Sequence, residues 1–171
     1  TSENGYAVYE TITNAVQPAV ESMKITSGDF SGKEGAVQAD NIENFVEGES
    51  NKFAKTVCYA TAKYPGEQNP LFIHGHSGLG KTHLLQSIGN ECLENGKTVI
   101  CITSEQFTSD FIRNLENRTM NKFKEKYRNC DVLLIDDVQF FHKSEKTQEE
   151  FFHTFNEIHA KKGQIVMTSD K

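Results

Sequence analysis

Between positions 71 and 170, short unbroken apolar runs alternate with longer stretches in which apolar residues return every third or fourth place. The runs LFIH (71–74), TVICIT (98–103), VLLI (132–135) and QIVM (164–167) are strand-sized and lack a polar alternate, the mark of strands buried on both faces of a parallel sheet. Helical stretches fill the gaps. ESNKFAKTVCYATAKYPG brings Phe53, Ala54, Val57, Cys58, Ala60 and Thr61 to or near one face, with Ser50 or Asn51 as its cap and YPGEQNP as its end. THLLQSIGNECLENG closes at Gly96, and SEQFTSDFIRNLEN opens at a Ser104 cap with Phe107, Phe111, Ile112 and Leu115 as its inward stripe. TMNKFKEKYRN is a further helix, and KTQEEFFHTFNEIHAKKG buries Phe151, Phe152, Phe155 and Ile158. Strand and helix in alternation predict an α/β fold of three layers, a mostly parallel sheet covered by helices on both faces.

The segment before position 39 has no such rhythm. YAVYETITNAVQPAVESMK is a helix interrupted at Pro18, and ITSGDFSGKEGAVQ has the glycine and serine content of a linker, so 1–38 reads as an N-terminal extension. Up to Ser50, nine Asp and Glu stand against two Lys, the composition of a solvated arm or of a docking segment. The 171 residues, 36% hydrophobic, suffice for one domain with a real core. A net charge of -6 argues against nucleic-acid binding by the whole surface and directs attention to local patches. Cys58, Cys92, Cys101 and Cys130 form no C-x-x-C pair and read as small buried hydrophobes of a reducing cytosol. With no apolar run of membrane-spanning length and no leader pattern, a cytoplasmic location is expected.

The chemistry gathers where strands end. HGHSGLGKTHLL contains Gly75-x-x-x-x-Gly80-Lys81-Thr82, the P-loop frame, between a strand and a helix. Its glycines let the backbone turn successive N–H groups from Gly75, His76, Ser77, Gly78, Leu79 and Gly80 toward phosphate oxygens, and the helix start adds its positive end. Lys81 is placed to reach the β and γ phosphates, and the Thr82 hydroxyl to sit on Mg2+. His83 is either a packing residue inside the helix or a further nucleotide contact. CDVLLIDD delivers Asp136 and Asp137 from the end of a parallel strand. Asp136 is the candidate to hold magnesium through water, and Asp137 to orient or deprotonate an attacking water. Thr168-Ser169-Asp170 ends the last strand; if that strand lies between the two just named, Asp170 faces the γ phosphate, and otherwise it is a strand-ending turn.

Taken in order, ENFVEGESNKFA, NPLFIHGHSGLGKTHLLQSIGN, CDVLLIDDVQFF and EEFFHTFNEIHAKKGQIVMTSDK resemble the AAA+ module of the bacterial DnaA family of replication initiators, over roughly 42–171. The resemblance implies a partial P-loop NTPase core of AAA+ type at 39–171, with an initiator-specific helical insertion at about 104–129. It matches 75–82 to Walker A, Asp136 and Asp137 to Walker B, and Asp170 to sensor 1. It also makes Val46, Gly48 and Asn51 candidates for lining the base and ribose. It implies ATP or ADP with Mg2+ as cofactors, self-assembly in the ATP state at the origin, single-stranded DNA engaged to promote duplex melting, and a nucleoid-associated location. Duplex origin DNA would be met through a separate domain, and the replicative helicase is a further partner. In the family's pattern the fifth core strand, arginine finger and helical lid follow Lys171, so this stretch alone is expected to hydrolyse ATP very slowly. A related AAA+ helicase loader or adaptor, acting through a protein partner, is the alternative.

Within the insertion, Arg113, Arg118, Lys122, Lys124, Lys126 and Arg128 stand against Glu116 and Glu125, a local net of +4 in an acidic chain. Such a cluster is either a solvated helix face, with Phe123 and Tyr127 packed inward, or a surface for the phosphates of single-stranded DNA. Lysines and arginines contacting phosphates would bind with little sequence preference and strong dependence on salt.

Overall fold

A computed structural model describes residues 41–48 and 51–170. The helix and linker expected in the first 38 residues, and the Ser50 alternative for the first cap, lie outside the described residues. Helix α1 (Lys52–Lys63) precedes β1 (Leu71–His74), and α2 (Lys81–Glu94) leads to β2 (Val99–Thr103). Helices α3 (Ser104–Glu116) and α4 (Met120–Arg128) follow, then β3 (Val132–Asp136), a 3-10 turn (Val138–Lys143), α5 (Glu145–Ala160) and β4 (Gln164–Ser169).

The four strands form one parallel sheet in the order β1-β4-β3-β2. Period-two alternation sends successive side chains to opposite faces. Leu71, Ile73, Val132, Leu134 and Val166 meet α1 and α2 through Ala54, Cys58, Leu84, Leu85 and Ile88. Phe72, Leu133, Ile135, Ile165 and Met167 meet an aromatic layer built on Phe107, Phe123, Tyr127, Phe141 and Phe151. Phe107 is its hub, with ring centroids 5.0 to 5.7 Å from Phe123, Tyr127, Phe141 and Phe151 in edge-on contact. The expected three layers are therefore present, with the central strands β3 and β4 fully buried.

Several local expectations change. β2 is an outer strand of the described sheet and is half-buried along its length, not buried on both faces. The cap of α3 is Thr103 instead of Ser104: the Thr103 hydroxyl accepts from the Gln106 N–H while the Gln106 side chain accepts from the Thr103 N–H. Phe53, Ile112 and Leu115 are 54%, 46% and 49% exposed, because periodicity marks a face without showing how far the neighbouring element reaches across it. Phe152 and Phe155 are half-buried, while Thr147 and Thr154 take buried places on α5. All four cysteines are free; burial pushes the Cys58 thiol up to about 12 and the Cys92 thiol up to about 11. Among the described residues no helix is long and apolar enough to cross a membrane.

Candidate functional site

The strand order decides what meets at the C-terminal edge of the sheet. β4 lies between β1 and β3, so the loop after β1 borders Asp170 on one side and the aspartate pair borders Thr168 on the other. The Gly75 N–H donates to the Ser169 carbonyl at 3.2 Å, fastening the start of the glycine-rich loop to β4. Gly78 and Gly80 have φ of 81° and 84°, the left-handed region where a Cβ is penalised, and Gly80 is the residue from which α2 springs. No side chain caps that helix start.

Lys81 is only 6% exposed and turns back over the loop. Its Nζ donates to the His76 carbonyl at 2.8 Å and pairs with Asp170 Oδ1 at 2.6 Å. Thr82 Oγ1 donates to Asp136 Oδ2 at 2.5 Å, and the Thr168 hydroxyl donates to the other oxygen of Asp136. Asp137 stands at φ 57°, a left-handed backbone that is uncommon outside glycine and that its surroundings hold in place. Three contacts do so: its N–H donates to Thr168 Oγ1 at 3.0 Å, its carbonyl accepts from Ser104 Oγ at 2.6 Å, and its carboxylate accepts from Gln139 Nε2 at 3.0 Å. Gln139 also accepts from the Asp170 N–H at 3.3 Å, so one amide spans both acids.

Burial raises the Asp137 carboxyl above its usual range, with the charges of Asp136 and Asp170 adding to it and the Gln139 hydrogen bond and Lys81 opposing it. Burial, followed by the charges of Lys81 and His76, lowers His74. Among the described residues no group of three or more His, Cys, Asp or Glu gathers to hold a metal unaided. One hydroxyl and one carboxylate 2.5 Å apart instead match magnesium, which takes few protein ligands and completes its shell with phosphate oxygens and water. The buried cation, the left-handed glycines and the uncapped helix start likewise fit a polyphosphate.

Thus the structure brings Gly75, Gly78, Gly80, Lys81, Thr82, Asp136, Asp137 and Asp170 to one edge, with His76, Ser77 and Gly78 exposed on the loop. Gln139, Thr168 and Ser104 belong to the same constellation and were not singled out for it by sequence. The other candidates are set further back. Asn51 is fully buried; its side chain accepts from the Gly48 N–H at 2.7 Å and donates to the Val46 carbonyl at 3.0 Å, which makes it the brace of that loop. Val46 itself is 75% exposed. His83 packs its ring 5.4 Å from Phe45 and lies 3.3 Å from the Asn41 carbonyl, holding the 41–48 segment on α2.

The six cations of the insertion divide into two groups. Arg118, Lys122 and Lys124 are exposed and have no ion pair among the described residues. Arg113 and Lys126 both pair with Asp110, Lys126 at 2.7 Å. Arg128 is a correction to the expected surface: its side chain is 11% exposed and pairs with Glu150 at 2.8 Å and with Glu157, tying α4 to α5. Asp110 of α3 and Glu150 and Glu157 of α5 therefore offset half of these cations, and the open positive surface is narrower than the local count implied.

The family model of the bacterial DnaA ATPase domain matches residues 38–171. The chain belongs to this DnaA ATPase-domain family. It is 80% identical over 131 residues to the chromosomal replication initiator protein DnaA of Campylobacter fetus, a match covering 76% of this chain and 30% of that protein. Among solved structures, domain III of DnaA from Thermotoga maritima is 50% identical with a TM-score of 0.75, covering 77% of this chain and 56% of that one. A replication initiator DnaA bound to AMPPCP and single-stranded DNA is 42% identical with a TM-score of 0.75, covering 77% of this chain and 41% of that one. The chain thus spans about 30% of the length of the curated DnaA relatives it matches.

Proposed function

We propose that this chain is the nucleotide-binding core of a replication initiator, taking ATP or ADP with Mg2+ at the strand ends and engaging single-stranded DNA through the α3–α4 insertion. The observation that carries the nucleotide part is the convergence of Lys81, Thr82, Asp136 and Asp170 at one sheet edge. Bound Mg·ATP would supply a polarised γ-phosphoryl group open to attack by water. The chain's own residues bind and orient. The loop from Gly75 to Gly80 wraps the phosphates with backbone N–H groups, Lys81 offers its ammonium, and Thr82 with Asp136 holds the metal side. Asp137, fixed by Thr168, Ser104 and Gln139, accepts a proton from water, and Asp170 reads the γ-phosphate position beside Lys81. Val46 and Gly48, braced by Asn51, flank the base, and His83 acts by holding their segment in place.

Single-stranded DNA follows from the exposed trio Arg118, Lys122 and Lys124 together with exposed Ile112 and Leu115 on α3, a mixture suited to phosphates and unstacked bases. The relative solved with AMPPCP and single-stranded DNA supports both halves of this reading. Self-assembly in the ATP state, origin duplex contact through another domain, helicase recruitment and action in the cytoplasm at the nucleoid complete the proposal, with ATP serving as a switch and hydrolysis by this stretch alone near zero. Membership of the initiator family favours this over a helicase loader acting through a protein partner.

The test is titration of a fluorescent oligo-dT strand at low salt with ATP and Mg2+, with ADP and Mg2+, and without nucleotide. Binding that is tightest with ATP and is weakened in K122A/K124A supports the assignment. No binding in any of the three conditions rejects DNA affinity in this chain, and failure of a fluorescent ATP analogue to bind rejects the nucleotide core.

A further inference from the structure

The insertion is attached directly to the peptide of Asp137. Ser104, the first residue of α3, is 1% exposed, and its hydroxyl donates to the Asp137 carbonyl at 2.6 Å. The same helix packs on the 3-10 turn that follows Asp137: Phe107 meets Phe141 at 5.6 Å between ring centroids, and Glu105 pairs with Lys143 at 3.5 Å. Since interiors are close-packed, a shift of α3 is passed to that turn instead of being absorbed. The helix cap does not depend on Ser104, because Thr103 and Gln106 satisfy that turn reciprocally. The Ser104 hydroxyl is thus left to a single visible task, fixing the orientation of the peptide that carries the Asp137 carbonyl, while Thr168 holds the N–H of the peptide before it.

We propose that Ser104 is a positioning residue that couples the nucleic-acid face of α3 and α4 to the nucleotide site through the Asp137 peptide. This rests on the nucleotide and DNA reading above and adds to it the residue through which the two sites communicate. Any shift of α3 that favours a bound strand changes the pull of Ser104 on the Asp137 carbonyl. That peptide has a left-handed backbone, and its side chain shares Gln139 with Asp170 beside Lys81. Coupling of this kind is reciprocal: if ATP tightens DNA binding, DNA tightens ATP binding by the same factor.

The experiment measures that factor with the intact chain. Affinity for a fluorescent ATP analogue with Mg2+ is determined with and without saturating oligo-dT, and affinity for oligo-dT with and without ATP and Mg2+, in the unchanged chain and in Ser104→Ala. Ser104→Cys, which is slightly larger and weakens the donor, is the second variant should the alanine form unfold. The unchanged chain is expected to show equal factors in the two directions. One hydrogen bond carrying the link corresponds to a roughly fivefold factor, which falls to about one in Ser104→Ala and lies between in Ser104→Cys. Affinities in Ser104→Ala that drop equally with and without the second ligand, leaving the factor intact, would show a purely structural role and overturn the proposal. So would an unchanged chain that binds both ligands with no coupling. A chain that binds no oligo-dT at all fails at the DNA reading itself and takes this inference with it.

Discussion

Asp110 is the hinge of the insertion, and removing its carboxylate measures what holds α3 against α4. Tyr127 is fully buried, and its hydroxyl donates to Asp110 Oδ2 at 2.6 Å. Lys126 Nζ donates to the same oxygen at 2.7 Å, and Arg113 pairs with the other. In Asp110→Ala the buried Tyr127 hydroxyl loses its hydrogen bond to a carboxylate, at about 1–3 kcal/mol. Lys126 and Arg113 are 44% and 64% exposed, so each pair adds no more than about 1 kcal/mol after solvent screening. A loss of about 1–5 kcal/mol is expected for Asp110→Ala by urea unfolding at neutral pH. Tyr127→Phe alone should cost about 1 kcal/mol, and less than that when Asp110 is already alanine, because the bond to Asp110 is then already gone. The sign of the pH dependence follows from the site. Burial pushes the Asp110 carboxyl up, but the hydrogen bonds from Lys126 and Tyr127 and the charges of Lys126 and Arg113 outweigh it, leaving it below its usual range. The stabilisation it brings is present above the ordinary aspartate range and is lost as pH falls through the folded-state value, so the alanine variant should lose that share of acid sensitivity. Equal costs of Tyr127→Phe in both backgrounds would refute the shared-hub reasoning.

Other perturbations separate the site from its supports. Lys81→Ala should weaken ATP binding by about 10- to 150-fold in an isothermal titration, the loss of one charge-assisted contact, with little change in the unfolding midpoint. Arg128→Ala should destabilise by about 3 kcal/mol, since it strands Glu150 at 12% side-chain exposure, and leave the salt dependence of oligo-dT binding unchanged. Lys122→Ala and Lys124→Ala should do the reverse, each lowering the salt slope by about 0.7 with no stability cost. Gly163→Ala should cost about 1–3 kcal/mol in urea unfolding, because a Cβ there would lie 2.7 Å from Ile158 Cγ2 and 3.2 Å from the Asp131 carbonyl.

The strands and the glycine-rich loop were legible because their signals are local: an apolar run followed by glycines, and an apolar run followed by two acids. The condition attached to Asp170 was topological, and the sheet met it by inserting β4 between β1 and β3. What the sequence hid depends on residues distant along the chain. Arg128 reads as one more cation of a basic cluster until α5 presents Glu150 and Glu157 to it. Lys126 and Arg113 read as open until Asp110, one helical turn before Arg113, is seen to hold both. Ser104 and Thr103 are adjacent hydroxyl residues at one helix start, and only the position of the Asp137 carbonyl decides which caps and which reaches across. Gln139 lies in an apolar run, VQFF, with no local mark of its bridge between two acids.

These contacts also account for the placement of Asp137. A left-handed aspartate costs on the order of 1–3 kcal/mol against an ordinary backbone and ends β3 abruptly. The chain offsets that cost with Thr168 on the N–H, Ser104 on the carbonyl and Gln139 on the carboxylate. Each belongs to a different part of the fold: β4, the start of α3, and the 3-10 turn. Thr168 also donates to Asp136, so one β4 hydroxyl fixes the Asp136 carboxylate and the neighbouring peptide together. The two acids are adjacent in sequence but are directed differently, Asp136 toward Thr82 and Asp137 toward Gln139 and Asp170. Continued strand geometry would send Asp137 to the face of the sheet opposite Asp136; the left-handed turn instead ends the strand and turns Asp137 toward Gln139, and the price of that turn is distributed over three elements that must be correctly packed before the site exists.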